Sequence, residues 1–74
     1  MPPLPVLSGQ RGIAALKRFG YQEVRRKGSH VRLACVGRAP VTVPLHDELD
    51  RGTLRSILRV AGITVEEFVA VLNG

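Results

Sequence analysis

Between His30 and His46 the apolar residues recur at every second position, first as Val31, Leu33 and Cys35 and again as Val41, Val43 and Leu45. A period of two is the spacing of side chains along one face of a strand. Gly37-Arg38-Ala39-Pro40 separates the two runs and reads as a turn. Tyr21 to Lys27 reads as a preceding strand, with Val24 its clearest inward residue, and Gly28-Ser29 turns it into the next. Pro44 cannot donate to a ladder, so the last strand, Val41 to His46, is at an edge or finishing there. Three strands with one apolar face need a second layer to cover it.

Helical patterns on both sides supply that layer. Before the strands, Ser8 is a suitable N-cap, Ile13, Leu16 and Phe19 share a stripe, and Gly20 stops the pattern, so a helix is expected over Gly9 to Phe19. After the polar connector Asp47 to Gly52, Thr53 reads as the N-cap of a second helix striped by Leu54, Ile57, Leu58 and Ala61 and closed by Gly62. Thr64-Val65-Glu66-Glu67 fits a capping box, opening a short third helix. The fold class is α+β: helix, three-stranded antiparallel sheet, then C-terminal helices on one face. With 74 residues, 1–74 are read as one domain. The proline-bearing start, Met1-Pro2-Pro3-Leu4-Pro5, is extended, with Leu4 or Val6 against the core. It lacks the charged and apolar regions of a signal peptide, and no run reaches membrane-spanning length, so a cytoplasmic protein is expected.

The charge is uneven. From Arg11 to Arg38 there are eight Arg or Lys against Glu23 alone, in a chain of net +5. Such a field draws in polyanions, either nucleic acid or an acidic protein. With only Phe19, Tyr21 and Phe68 as aromatics, readers that stack single-stranded bases on a sheet are disfavoured. Cys35 is single and excludes an internal disulfide; in an apolar alternation it reads as a small core residue.

The densest charge is Arg25-Arg26-Lys27-Gly28-Ser29-His30-Val31-Arg32, a cationic hairpin tip. Strand parity puts His30 and Arg32 together, opposite Val31 and Leu33. An imidazole, with an ordinary pKa near 6.5, can take and give a proton at cellular pH. Beside cations it has what a metal-free ribonuclease needs: a base for the 2′-hydroxyl and positive charge for the phosphate. The plainer alternative is a surface histidine in a basic hairpin. His46 falls on the same face by parity and is a candidate acid, or a loop residue leading into the next helix. Arg51, Arg55 and Arg59, four apart, form either a backbone-tracking stripe or a solvated helix face. Two histidines without a cysteine or carboxylate pair are a weak metal signal, and no cofactor is expected.

Several ordered motifs together resemble the HicA-type toxins, bacterial mRNA interferases of HicAB toxin–antitoxin pairs. They are Leu4-Pro5-Val6-Leu7-Ser8-Gly9, Phe19-Gly20-Tyr21, Arg26-Lys27-Gly28-Ser29-His30, Val41-Thr42-Val43-Pro44 with His46, Gly52-Thr53-Leu54-Arg55-Ser56-Ile57-Leu58, and Ala61-Gly62-Ile63 with Glu66-Glu67-Phe68. Arg26 stands where the family often has glutamine. The resemblance implies a double-stranded-RNA-binding-domain-like fold, mRNA cleavage with His30 essential, and an acidic HicB-type antitoxin as partner. Lys27 and Arg32 would then serve the phosphate, and Arg25, Arg26, Ser29, Arg55 and Arg59 would contact RNA beyond it. The free toxin is expected to be a monomer with no membrane association. The rival readings are a non-catalytic RNA-binding module and an antitoxin-docking module whose RNA affinity is incidental.

Overall fold

The computed structural model describes residues 3–74. In chain order the elements are α1 (Gly9–Lys17), β1 (Gln22–Lys27), β2 (His30–Cys35), β3 (Arg38–Pro44), α2 (Arg51–Ala61) and α3 (Val65–Asn73). The sheet is antiparallel in the order β1-β2-β3, and the helices cover one face, as the α+β reading expects. Of the N-terminal segment, Leu4 and Leu7 enter the core, and Val6 stays exposed; Met1 and Pro2 lie outside the described residues.

Each element follows from local chemistry. Ser8 caps α1, its Oγ accepting from the Arg11 N–H at 3.1 Å. Gly9 is buried where a Cβ would run into the Pro44 carbonyl, and its N–H donates to the His46 carbonyl at 2.9 Å. Only glycine lets α1 start so close to the end of β3. The helix ends two residues earlier than its stripe suggests. Arg18 to Gly20 form a turn, with Gly20 at φ +104°, which frees Phe19 to sit half-buried.

Lys27 and His30 are cross-strand partners around Gly28-Ser29. Gly28 has φ +59° and among the described residues no non-glycine residue, Ser29 included, has positive φ, the pattern of a II′ hairpin turn with glycine first. In β2, Val31 and Leu33 are fully buried while His30 and Arg32 are exposed, as parity predicts.

Three expectations fail locally. Val24 is 60% exposed rather than inward, because the register shifts between Glu23 and Arg25 and a bulge leaves Val24 unpaired. The inward residue is instead Tyr21, just before β1, whose hydroxyl donates to the Ala39 carbonyl at 2.8 Å. Burial raises the Tyr21 pKa above that of a free phenol. The second turn is shorter than read: Arg38, Ala39 and Pro40 belong to β3, which ends at Pro44 rather than His46. A second register shift, between Leu33 and Cys35, leaves Cys35 half-buried at the core margin.

The N-cap of α2 is Asp50 and not Thr53. Its Oδ1 accepts from the Gly52 N–H at 2.7 Å and the Thr53 N–H at 3.3 Å, and Oδ2 accepts from the Thr53 hydroxyl at 2.8 Å. These bonds hold the Asp50 carboxyl below its ordinary pKa. Gly62 closes α2 in the left-handed conformation, at φ +73°. Thr64 and Glu67 form the expected capping box of α3, which depresses the Glu67 pKa. Leu16, Tyr21, Leu33, Leu49, Leu54, Leu58 and Phe68 fill the space between the layers.

Candidate functional site

The hairpin β1–β2 presents its open face to solvent, away from the helices. On it Lys27 lies opposite His30 and Arg25 opposite Arg32. Directly opposed residues on one face have Cβ atoms about 4.5–5.5 Å apart. The Arg32 guanidinium donates to the Thr42 hydroxyl on β3 at 3.3 Å, which aims it across the sheet. Ser29 holds the tip down, its carbonyl accepting the Leu45 N–H at 2.6 Å. His30 is therefore seated in the central strand, which is paired on both sides, next to two cations on β1 and one on its own strand.

The arrangement costs stability. Two cross-strand pairs oppose like or potentially like charges, and each such pair destabilises by a fraction of a kcal/mol, about 0.2–1. Among the described residues, Arg25, Lys27 and His30 make no side-chain hydrogen bond or ion pair that would offset it. An anion laid across the face removes the repulsion.

The other cations divide differently. Arg26 lies opposite Val31, on the helix-facing side, where it pairs with Glu23 at 3.2 Å and borders a shallow groove against Ile13, Ala14 and Lys17. It is not on the face that carries His30. Arg51 leaves the predicted stripe altogether: its Nε donates to the Leu4 carbonyl at 2.9 Å, pinning the N-terminal segment. Arg55 and Arg59 are exposed on α2, in the layer on the other side of the sheet from His30. Arg38 bonds the carbonyls of Ala61 and Gly62 and lies over the Phe19 ring at 5.7 Å; Arg18 caps α3 through the Val71 carbonyl. His46 is exposed two residues beyond Pro44, the cross-strand partner of His30.

Thr42 is the neighbour that sequence reasoning missed. Its signal was available in the period-two pattern, which puts it outward between Val41 and Val43 on the strand next to Arg32. Among the described residues no three of His, Cys, Asp and Glu gather into a metal-holding group, and no helix is long and apolar enough to cross a membrane.

No curated protein matches the chain. A solved structure described as a toxin–antitoxin complex from Streptococcus pneumoniae contains a similar chain, at 32% identity and a TM-score of 0.66, covering 82% of this chain and all of that one. The model of the family described as the HicA toxin of bacterial toxin–antitoxin systems matches residues 9–63, from the first residue of α1 to the residue after the α2 C-cap. The chain belongs to the HicA toxin family.

Proposed function

We propose that this protein is an endoribonuclease that cuts mRNA on the open face of the β1–β2 hairpin, with His30 as its catalytic residue. The observation that carries the reading is the alignment of His30 with Lys27, Arg25 and Arg32 on one exposed face, against their own repulsion. In the reaction the neutral His30 imidazole accepts the 2′-hydroxyl proton. The 2′ oxygen then forms a bond to phosphorus while the bond to the 5′ oxygen breaks. The imidazolium returns the proton to the departing 5′ oxygen, so one residue serves as base and then acid. Lys27 and Arg32 hold the phosphate and neutralise the charge that grows on its oxygens at the five-coordinate stage. Arg25 and the tip at Ser29 contact the adjoining backbone.

Arg26, Arg55 and Arg59 are secondary contacts in this reading, since they lie off the face and a strand must turn an edge to reach them. The family membership and the pneumococcal toxin–antitoxin complex support an acidic HicB-type antitoxin as partner. We place the protein in the cytoplasm, as a monomer when free. The test is cleavage of a defined mRNA by purified protein with EDTA present. Product is expected from the parent chain, none from His30→Ala, and none when the nucleotide 5′ to the scissile phosphate carries 2′-hydrogen. Cleavage retained by His30→Ala would overturn the assignment.

A further inference from the structure

The sheet has two outer edges, and they are defended differently. Along β3, Pro40 and Pro44 have no N–H to offer, and α2 packs beside the strand through Ile57. Along β1 there is no proline from Gln22 to Lys27, all six residues are exposed, and among the described residues no strand pairs with the outer side. An edge of this kind is a template for another strand.

Two features select what can pair there. The C-terminal half of β1 is Arg25-Arg26-Lys27, and its one carboxylate, Glu23, is already engaged by Arg26. A second copy laid edge to edge would set six cations against two carboxylates along one seam. Like charge thus disfavours self-pairing and favours an acidic strand. At the other end the surface turns apolar. Val24 on the bulge is 60% exposed and Val36 at the β2–β3 turn is fully so, and with Phe19 and Ala34 they line a shallow groove. The turn itself is formed by Gly37 at φ +83°, and nothing in the fold requires an apolar residue at Val36. A charged edge running into an apolar groove fits an extended segment with acidic and apolar side chains.

We infer that β1 is the docking edge for an extended acidic segment of the antitoxin, which adds a fourth strand to the sheet; this rests on the toxin–antitoxin reading above. Main-chain bonds along β1 supply affinity, the carboxylates meet Arg25 and Lys27, and an apolar residue fills the Val24–Val36 groove. The added strand lies beside Lys27, the cross-strand neighbour of His30, and so displaces RNA from the catalytic face.

The test titrates the full chain with a synthetic peptide of about nine residues alternating valine and glutamate, a length matched to an edge strand. Its backbone N-methylated form and an oligouridylate serve as controls. Hydrogen exchange should slow at the β1 amides by about tenfold or more, equivalent to about 1.4 kcal/mol, with the N-methylated peptide losing that protection. Val36→Asp, at an exposed turn, should weaken the peptide about tenfold while RNA cleavage stays at the parent rate; Val24→Asp gives an independent second reading. Equal protection by the N-methylated peptide, equal protection by the oligouridylate, or peptide-induced changes on α1 or α2 would overturn the inference. If the peptide pairs with β1 but RNA is never cut, the ribonuclease reading fails and this one stands. If cleavage depends on His30 but β1 stays unprotected, the reverse holds.

Discussion

The hairpin face and the C-terminal helical layer both carry many charges, yet they use them in opposite ways. Across Arg11 to Arg38 eight cations stand against Glu23, whereas residues 39–74 hold three arginines against five carboxylates. In the helical layer three of the charged groups bond to backbone ends: Asp50 caps α2, Glu67 closes the Thr64 box, and Arg51 holds the Leu4 carbonyl. On the hairpin face Arg25, Lys27 and His30 make no side-chain bond among the described residues, and Arg25 stands opposite Arg32. Charges of the first kind stabilise the fold, and charges of the second kind oppose it, so the second kind is where a ligand's contribution is largest.

The sharpest test of that contrast sets one residue from each region side by side. His30→Ala should lower RNA cleavage by at least about 10²–10⁴-fold. The same substitution should leave the unfolding midpoint unchanged or slightly higher, as measured by a gel assay and thermal melting. Phe68→Ala, in α3, should do the reverse and cost about 3–5 kcal/mol of stability, since Phe68 is fully buried between the layers. Its activity per folded molecule should persist at low temperature.

A smaller effect separates two arginines of equal formal charge. Arg51→Ala removes a bond across 47 residues of sequence and should cost about 1 kcal/mol in urea titration, with little change in RNA affinity. Arg25→Ala should be neutral or stabilising, by up to about 0.5 kcal/mol, because it relieves the pair with Arg32. Its RNA affinity should fall, and the slope of log affinity against log salt should shrink by about one phosphate's share. If both variants behave alike, the division between bonded and free cations is wrong.

The smallest effect lies in acid. Asp50 and Glu67 have depressed pKa values in the folded chain, from hydrogen bonds with Thr53 and Thr64 respectively. Their contribution is present above the unfolded carboxyl pKa, about 4, and is lost as pH falls through the lower folded values. Melting curves between about pH 5 and 2 should therefore show a shallower acid limb for Asp50→Asn with Glu67→Gln than for the parent. Substitutions on the hairpin face, which remove no carboxylate, should leave that limb in place.

Much of this was readable in the residues. The alternation Val31, Leu33 and Val41, Val43 sets which side of the sheet is core, and so places His30 and Arg32 outward. Ser8, Gly62 and the Thr64–Glu67 box act within three or four residues, and caps of that range are written locally. Val24 was misread because a bulge is a relation between two strands: one unpaired residue turns a nominally inward side chain out. Asp50 was missed for Thr53 because either could cap, and the Asp50 carboxylate accepts from two backbone N–H groups and from the Thr53 hydroxyl as well.

By itself the sequence determined the order of the elements, the turn at Gly28-Ser29 under His30, the Ser8 cap of α1, the Gly62 cap of α2 and the Thr64–Glu67 box, and the family motif. These depend on contacts between residues a few positions apart, or on side-chain periodicity, which a linear reading contains. Only the tertiary structure decided which cations are free. Arg18, Arg38 and Arg51 reach carbonyls 53, 23 and 47 residues away, and Arg26 turns to the helix side to meet Glu23. Long flexible side chains choose partners by proximity in the folded chain, so some of the arginines became anchors while Arg25 and Lys27 were left facing solvent.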